Sequence, residues 1–163
     1  MSTNVIIKKM KTFHFTNREI ARILKNVAAA YEVKGENRFK IVAYDRAATA
    51  VEHATSDIKD LWDDKALNTI PGIGPNIASH LDELFRTGKV KHFQHIFAGL
   101  PPAMFEFLLI PGIGPKTAYK LTKILKINQK EGALSKLKEA AQHGKIRTIP
   151  GFGETSEVKI LEG

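Results

Sequence analysis

Ile70-Pro71-Gly72-Ile73-Gly74-Pro75 returns as Ile110-Pro111-Gly112-Ile113-Gly114-Pro115, and again as Ile149-Pro150-Gly151-Phe152-Gly153-Glu154. The copies begin 40 and 39 residues apart, and a period of that length is read before any single element because it sets the architecture. Each copy leads into a stretch with helical patterning, over 76–86, 116–125 and 155–161. Two glycines flanking one apolar residue permit positive φ and close backbone approach in a tight turn. The apolar residue between them can plug a core below. The helix that follows offers unpaired N–H groups in its first turn, which is where anions bind. Pro75 and Pro115 stand near the start of that helix, where a missing N–H costs little.

A dinucleotide-binding glycine fingerprint does not fit, because the third glycine is absent and no strand pattern precedes the motif. The three units resemble helix-hairpin-helix motifs, which hold nucleic-acid phosphates through the hairpin backbone. That resemblance makes Gly72, Ile73 and Gly74, then Gly112, Ile113 and Gly114, then Gly151 and Gly153 the candidate DNA-binding positions.

Charge sharpens the assignment. The 163 residues carry 25 Lys+Arg against 17 Asp+Glu, a formal charge of +8 with a pI near 9.7, which favours a polyanionic partner. Residues 111–147 hold nine basic and two acidic side chains, whereas 148–163 hold one basic and three acidic. Lys116, Lys120 and Lys123 fall on one helical face, with Ala118, Leu121, Ile124 and Leu125 opposite. A lysine stripe is commonly a solvated face; beside an anion-binding hairpin it reads as a continued phosphate track. The absence of cysteine excludes disulfides, thiolate zinc sites, iron–sulfur clusters and cysteine nucleophiles. No apolar run reaches the ~20 residues of a membrane span, and the apolar residues 5–7 are too few for a signal-peptide core. The expectation is a cytoplasmic protein with no membrane partner.

The remaining sequence reads as helix. Thr16 and Glu19 form a capping box ahead of the stripe Ile20, Ile23, Leu24, Val27 and Tyr31, with Gly35 as a stop. Asn37 can cap a second helix, 39–53, with an apolar face of Phe39, Val42, Ala43, Ala47 and Val51. Shorter helices are expected over 57–62 and 133–143. Phe93, Ile96, Phe97, Met104, Phe105 and Leu108 read as core. No alternating strand pattern occurs. The expected fold is all-α, two small helical subdomains built around tandem helix-hairpin-helix motifs. These comprise an extension over 1–15, a first domain over 16–98 and a second over 99–163, with Gly99-Leu100-Pro101-Pro102 at the boundary.

The run Asn37-Arg38-Phe39-Lys40-Ile41-Val42-Ala43-Tyr44, then Ala47-Ala48, the first hairpin, and Phe85-Arg86-Thr87-Gly88-Lys89-Val90 resembles the N-terminal lyase-type domain of family X DNA polymerases. The second and third hairpins resemble the fingers region of the bacterial and archaeal members, so the likeness runs from about Thr16 to Gly163. It implies that Lys40 and Tyr44 hold the 5′-phosphate at a gap, and that Asn76 stands where animal members carry another phosphate-binding lysine. It also implies that the carbonyls of Asn68, Ile70 and Ile73, and of Leu108, Ile110 and Ile113, coordinate Na⁺ or K⁺ between hairpin and DNA.

The departures matter as much. The family's lyase chemistry needs a lysine that forms a Schiff base, and the matching position is His80, whose imidazole forms no imine; it reads instead as a helix histidine near phosphate. Lys89 and Lys91 are the amines nearest in sequence. Nucleotidyl transfer in the family uses a D-x-D pair holding two metal ions, and none occurs; no Mg²⁺ site is expected. His92 and His95 at i, i+3 are weak metal evidence. The resemblance places the family's palm after Gly163, supplied by a longer form or another protein. Lys116 also matches the nucleophile of helix-hairpin-helix glycosylases, but their activating aspartate falls on Leu134, and no Asp follows Asp82. The sequence therefore predicts sequence-independent binding of DNA at gaps, nicks or 5′-phosphorylated ends, in repair. The alternative is a stand-alone hairpin adaptor for a nuclease or repair partner.

Overall fold

The structure is a computed structural model that describes residues 11–163; the apolar residues 5–7 and the basic pair Lys8 and Lys9 lie outside the described residues. Among the described residues the regular structure is helical, with no strand. In chain order the helices are α1 (Asn17–Val33), α2 (Arg38–Glu52), α3 (Ile58–Asp63), a 3-10 turn (Leu67–Thr69), α4 (Pro75–Thr87), α5 (Lys91–Phe97), α6 (Ala103–Phe107), α7 (Pro115–Leu125), α8 (Ala133–Gln142) and α9 (Glu154–Glu162). They form two compact units. One joins Ala43–His95 to residues 11–25, and the other joins Asn26–Val42 to Ile96–Gly163.

In the first unit, side-chain hydrogen bonds start α1 and α3. The Thr16 amide donates to the Glu19 carboxylate at 2.7 Å and the Glu19 amide to the Thr16 hydroxyl at 3.2 Å, the reciprocal capping box read from the sequence. The Thr16 amide, then the Thr16 hydroxyl, both donating to the carboxylate, hold the Glu19 carboxyl below its ordinary pKa. Asn17 receives the Ile58 amide at 2.8 Å and donates to the Ser56 carbonyl at 2.9 Å, which ties the start of α1 to α3. Ile20 and Leu24 of α1, Ala47 and Val51 of α2, and Leu81 and Phe85 of α4 are buried. Phe85 meets Trp62 at 5.2 Å and Phe15 at 6.5 Å between centroids. Trp62 is half-buried and donates its indole N–H to Asp82 at 2.8 Å, the polar handle such a ring carries.

The face of α2 differs from the sequence expectation. Tyr44, Ala47, Ala48 and Val51 are buried, a stripe at i, i+3, i+4, i+7. Phe39 lies five residues before Tyr44, well round the helix at ~100° per residue, and is 85% exposed. Ala43 is exposed too. The Asn37 cap forms as expected, its side chain accepting from the Phe39 amide at 2.7 Å.

In the second unit, Met104, Phe107, Ala118, Leu121, Leu137, Ile146 and Ile160 pack into one core with Ala29 of α1. Ile124, expected on the core side of α7, is 47% exposed; Ala118, Leu121 and Thr122 fill that side instead. One ionic contact organises the end of the chain. The Arg147 amide donates to Glu157 at 2.8 Å and the Arg147 guanidinium at 2.7 Å, while Glu157 is only 2% exposed. The amide first, then the guanidinium, hold the Glu157 carboxyl below its usual value of 4.5.

Leu121→Ala removes a fully buried side chain and should cost about 2–5 kcal/mol in chemical denaturation. A carboxylate whose folded pKa is depressed stabilises the fold above its unfolded pKa and loses that contribution as pH falls. Glu157→Gln should therefore lower the melting midpoint at neutral pH, and the gap to wild type should close below pH 4.5. A gap independent of pH would contradict the assignment.

Candidate nucleic-acid interface

The three hairpins share one backbone geometry. The amides of Ile73, Ile113 and Phe152 donate to the carbonyls of Ile70, Ile110 and Ile149 at 3.1, 3.1 and 3.0 Å. Each turn carries proline second and a glycine with φ of +97°, +86° or +88° third, at Gly72, Gly112 and Gly151. Proline then left-handed glycine closed by an i to i+3 bond defines a type II turn. The plug between the glycines is buried at Ile73 and half-buried at Ile113 and Phe152.

The second glycine behaves differently from expectation. Gly74, Gly114 and Gly153 have φ of −82°, −86° and −131°, extended backbone that any residue adopts, so only the first glycine of each pair needs positive φ. A Cβ at any of the three would meet nothing within 4 Å. Each is the N-cap of its helix and supplies no side-chain cap, which leaves the first-turn amides without a partner from the cap. The helical ladder begins with the Ala78 and Ala118 amides donating back to Gly74 and Gly114, both at 2.9 Å. The donors before that point, Asn76 and Ile77 in α4 and Lys116 and Thr117 in α7, lack an intrahelical acceptor.

Charge separates the copies. On α7, Lys116, Lys120 and Lys123 are all exposed, and Lys116 makes no ion pair or hydrogen bond among the described residues. Lys120 is engaged: its ammonium donates to the Pro150 carbonyl at 2.7 Å and lies 5.4 Å from the Phe152 ring centroid. Lys123 lies 5.2 Å from the Tyr119 ring. Between the second and third hairpins runs a groove of about 300 Å³ lined by Gly112, Lys116, Lys120 and Gly151. The third copy carries Glu154 at its first helical position, paired with Arg147 at 3.2 Å. That carboxylate offsets the positive helix end, so Gly151 and Gly153 offer the geometry of the other hairpins with a weaker field.

On α4, Asn76 is exposed and His80, one turn on, is half-buried. The His80 ring stacks on His92 at 5.0 Å with planes 3° apart. Burial, then His92, lower the His80 pKa from its ordinary value, against an opposing pull from Glu83, which favours the uncharged ring. On α2, Lys40 lies 3.4 Å from Glu36 and 5.7 Å from the Tyr31 ring. Tyr44, one turn further on, is buried with its ring edge-on to Phe93 at 5.9 Å. Sequence reasoning missed the His80–His92 stack and the ties from Lys120 and Arg147, because they join residues 7 to 32 apart with no local periodicity. No group of three or more metal-ligating side chains occurs among the described residues.

The hairpin carbonyls suit a hard cation. Asn68 and Leu108 each precede a proline by three residues, which has no N–H to offer them. Neither carbonyl accepts a backbone hydrogen bond among the described residues. Ile70 and Ile110 use one lone pair within the turn, leaving a second. Oxygen donors of this kind are what alkali and alkaline-earth cations take.

Comparison with known proteins agrees with this geometry. Residues 15–90 match a helix-hairpin-helix domain and residues 105–163 a SAM-like helix-hairpin-helix tandem. The chain is 33% identical over 145 residues to the DNA polymerase/3′-5′ exonuclease PolX of Bacillus subtilis, covering 89% of this chain and 24% of the relative. It is 29% identical over 106 residues to DNA polymerase lambda of Arabidopsis thaliana, covering 64% of this chain and 19% of the relative. The chain thus spans a quarter or less of the length of these relatives. With tandem helix-hairpin-helix domains and this likeness along nearly its whole length, the chain belongs to the N-terminal, helix-hairpin-helix type of region of family X DNA polymerases.

Proposed function

We propose that this chain binds DNA through backbone phosphates, without reading base sequence, at gaps, nicks or 5′-phosphorylated ends, in the service of polymerase-type repair. The observation that carries this reading is the second glycine of each hairpin. Its conformation does not require glycine and its Cβ position is open, so the fold itself leaves the choice of residue free. A phosphate drawn up to the first-turn amides does not, because a side chain there would stand between donor and ligand. Backbone amides carry no sequence information. The family relationship and the basic segment 111–147 support the same partner.

Within this reading the second hairpin is the principal grip, with Lys116 beside its amides and Lys120 and Lys123 along the helix. The first hairpin contributes Asn76 with His80, and the third serves mainly to brace the second. Lys40 supplies the charge for a 5′-phosphate, with Tyr44 one turn further along α2 as its companion in that pocket. The carbonyls of Asn68, Ile70 and Ile73 and of Leu108, Ile110 and Ile113 would hold Na⁺ or K⁺, which supplies positive charge between two electronegative groups. A palm or nuclease function would come from a longer form or a partner protein.

Gly114→Ala should leave stability within about 0.5 kcal/mol while weakening duplex DNA binding about tenfold, or ~1.4 kcal/mol, by fluorescence anisotropy. Gly112→Ala, at φ +86°, should instead cost about 1–3 kcal/mol of stability. Unchanged DNA affinity in Gly114→Ala would remove the amide grip. The protein should prefer gapped duplex bearing a 5′-phosphate, and Lys40→Ala should abolish that preference; a wild type indifferent to the phosphate would refute the pocket. Borohydride should trap no covalent adduct on an abasic end, since His80 cannot form an imine.

A further inference from the structure

A second basic groove lies in the unit that carries the second and third hairpins, away from any hairpin turn. It encloses about 400 Å³ between the end of α7 and the outer face of α8, with Lys126, Lys136, His143 and Lys145 around it and Glu139 as the one carboxylate. Ile127 and Ala140, both nearly buried, form an apolar floor. Lys126, Lys136 and Lys145 enter no ion pair among the described residues, so three unpaired lysines line one concavity with a single carboxylate, Glu139, among them.

One of these lysines sits at a conformational cost. Lys126 caps α7 in the left-handed region, with φ +54° and ψ +40°. The corresponding cap of α4 is Gly88, at φ +78°, the residue that adopts this region without strain. At the equivalent point of the second hairpin the chain carries a cation instead. Lysine near a helix C-terminus is favourable for the dipole. That alone does not account for Lys136 and Lys145 converging on the same groove from α8 and the segment after it.

We infer that this groove is a second nucleic-acid backbone site, taking phosphates of the same duplex beyond those held at the second hairpin. The inference rests on the DNA-binding reading given above. A rim of ammonium groups over an apolar floor matches a sugar–phosphate chain, whose charge lies on the phosphates and whose sugar presents apolar faces. The eleven residues of α7 separate the groove from the hairpin amides by about 16 Å at 1.5 Å per residue. That distance corresponds to roughly five phosphates at 3.4 Å of axial rise along one strand, so the two sites cannot share a phosphate.

The test is a salt titration of DNA binding by the full chain carrying Lys136→Ala and Lys145→Ala, exposed residues whose removal leaves the core untouched. On a 30-base-pair duplex the slope of log K against log[salt] should become shallower by about 2, near 0.9 for each phosphate no longer neutralised, with at least tenfold weaker binding at 0.1 M salt. On a loop-closed duplex of four base pairs, shorter than the roughly five-phosphate separation of the two sites, the variant should match wild type. Replacing Lys34 and Lys130, which already have the Ala98 carbonyl and Glu106 as partners, removes the same charge elsewhere in the unit and should have little effect. An unchanged slope on the long duplex, or an equal loss of affinity from the Lys34 and Lys130 pair, would overturn the inference. A wild type whose binding ignores salt on both duplexes would instead overturn the hairpin reading itself.

Discussion

A helix with nothing covering its first turn is the constraint on which this protein is built. Three times the chain reverses through proline and a left-handed glycine, closes the turn with a single backbone hydrogen bond, and enters a helix at a glycine that supplies no cap. An uncapped N-terminus leaves donors unpaired and a partial positive charge unneutralised. In an isolated helix that is a loss of stability; most natural helices recover it with Ser, Thr, Asp or Asn. Here the recovery is left to packing. Ile77, Leu81 and Phe85 on α4, and Ala118 and Leu121 on α7, fix their helices against a core, so the axis is aimed whether or not an anion is present.

The copies then diverge by electrostatics. The second adds lysines to a shared backbone geometry, and the third adds Glu154 and the buried Glu157, both answered by Arg147. Two sites whose left-handed glycines, Gly112 and Gly151, have nearly equal φ therefore differ in the field they present. Lys120 links them: a cation that would otherwise project into solvent is held by the Pro150 carbonyl and the Phe152 ring. A buried carboxylate such as Glu157 is tolerable because its partners donate along its own lone pairs. The same ion pair sets the start of α9, and through it the seat for Lys120.

Much of this is legible in the amino-acid sequence. The capping box at Thr16 and Glu19, the Asn37 cap, the short α3 and the helices after each hairpin lie where local chemistry puts them, because caps and turns act over three or four residues. The differences arise where a helix face has to be chosen. The pattern of apolar residues places Phe39 in the core, yet α2 turns Tyr44, Ala47, Ala48 and Val51 inward. With only small alanines along much of that face, hydrophobicity gives a poor compass. Ile124 differs for a related reason: Thr122 occupies its place by satisfying its hydroxyl on the Tyr119 carbonyl at 2.6 Å.

The repeat, the helical class, a tight turn in each copy and the concentration of positive charge in one segment can be read from the amino-acid sequence, since each depends on neighbours in the chain. It marked the glycine pairs without distinguishing their duties. Only the tertiary structure decided that the first glycine serves the backbone while the second leaves space. Only it decided which lysines are engaged, that the His80 ring stacks on His92 with its pKa lowered by burial, and that Lys126, Lys136 and Lys145 share a groove. Burial, pairing and a side chain's pKa are set by whatever the fold brings within a few ångströms, and separation along the chain carries no record of that.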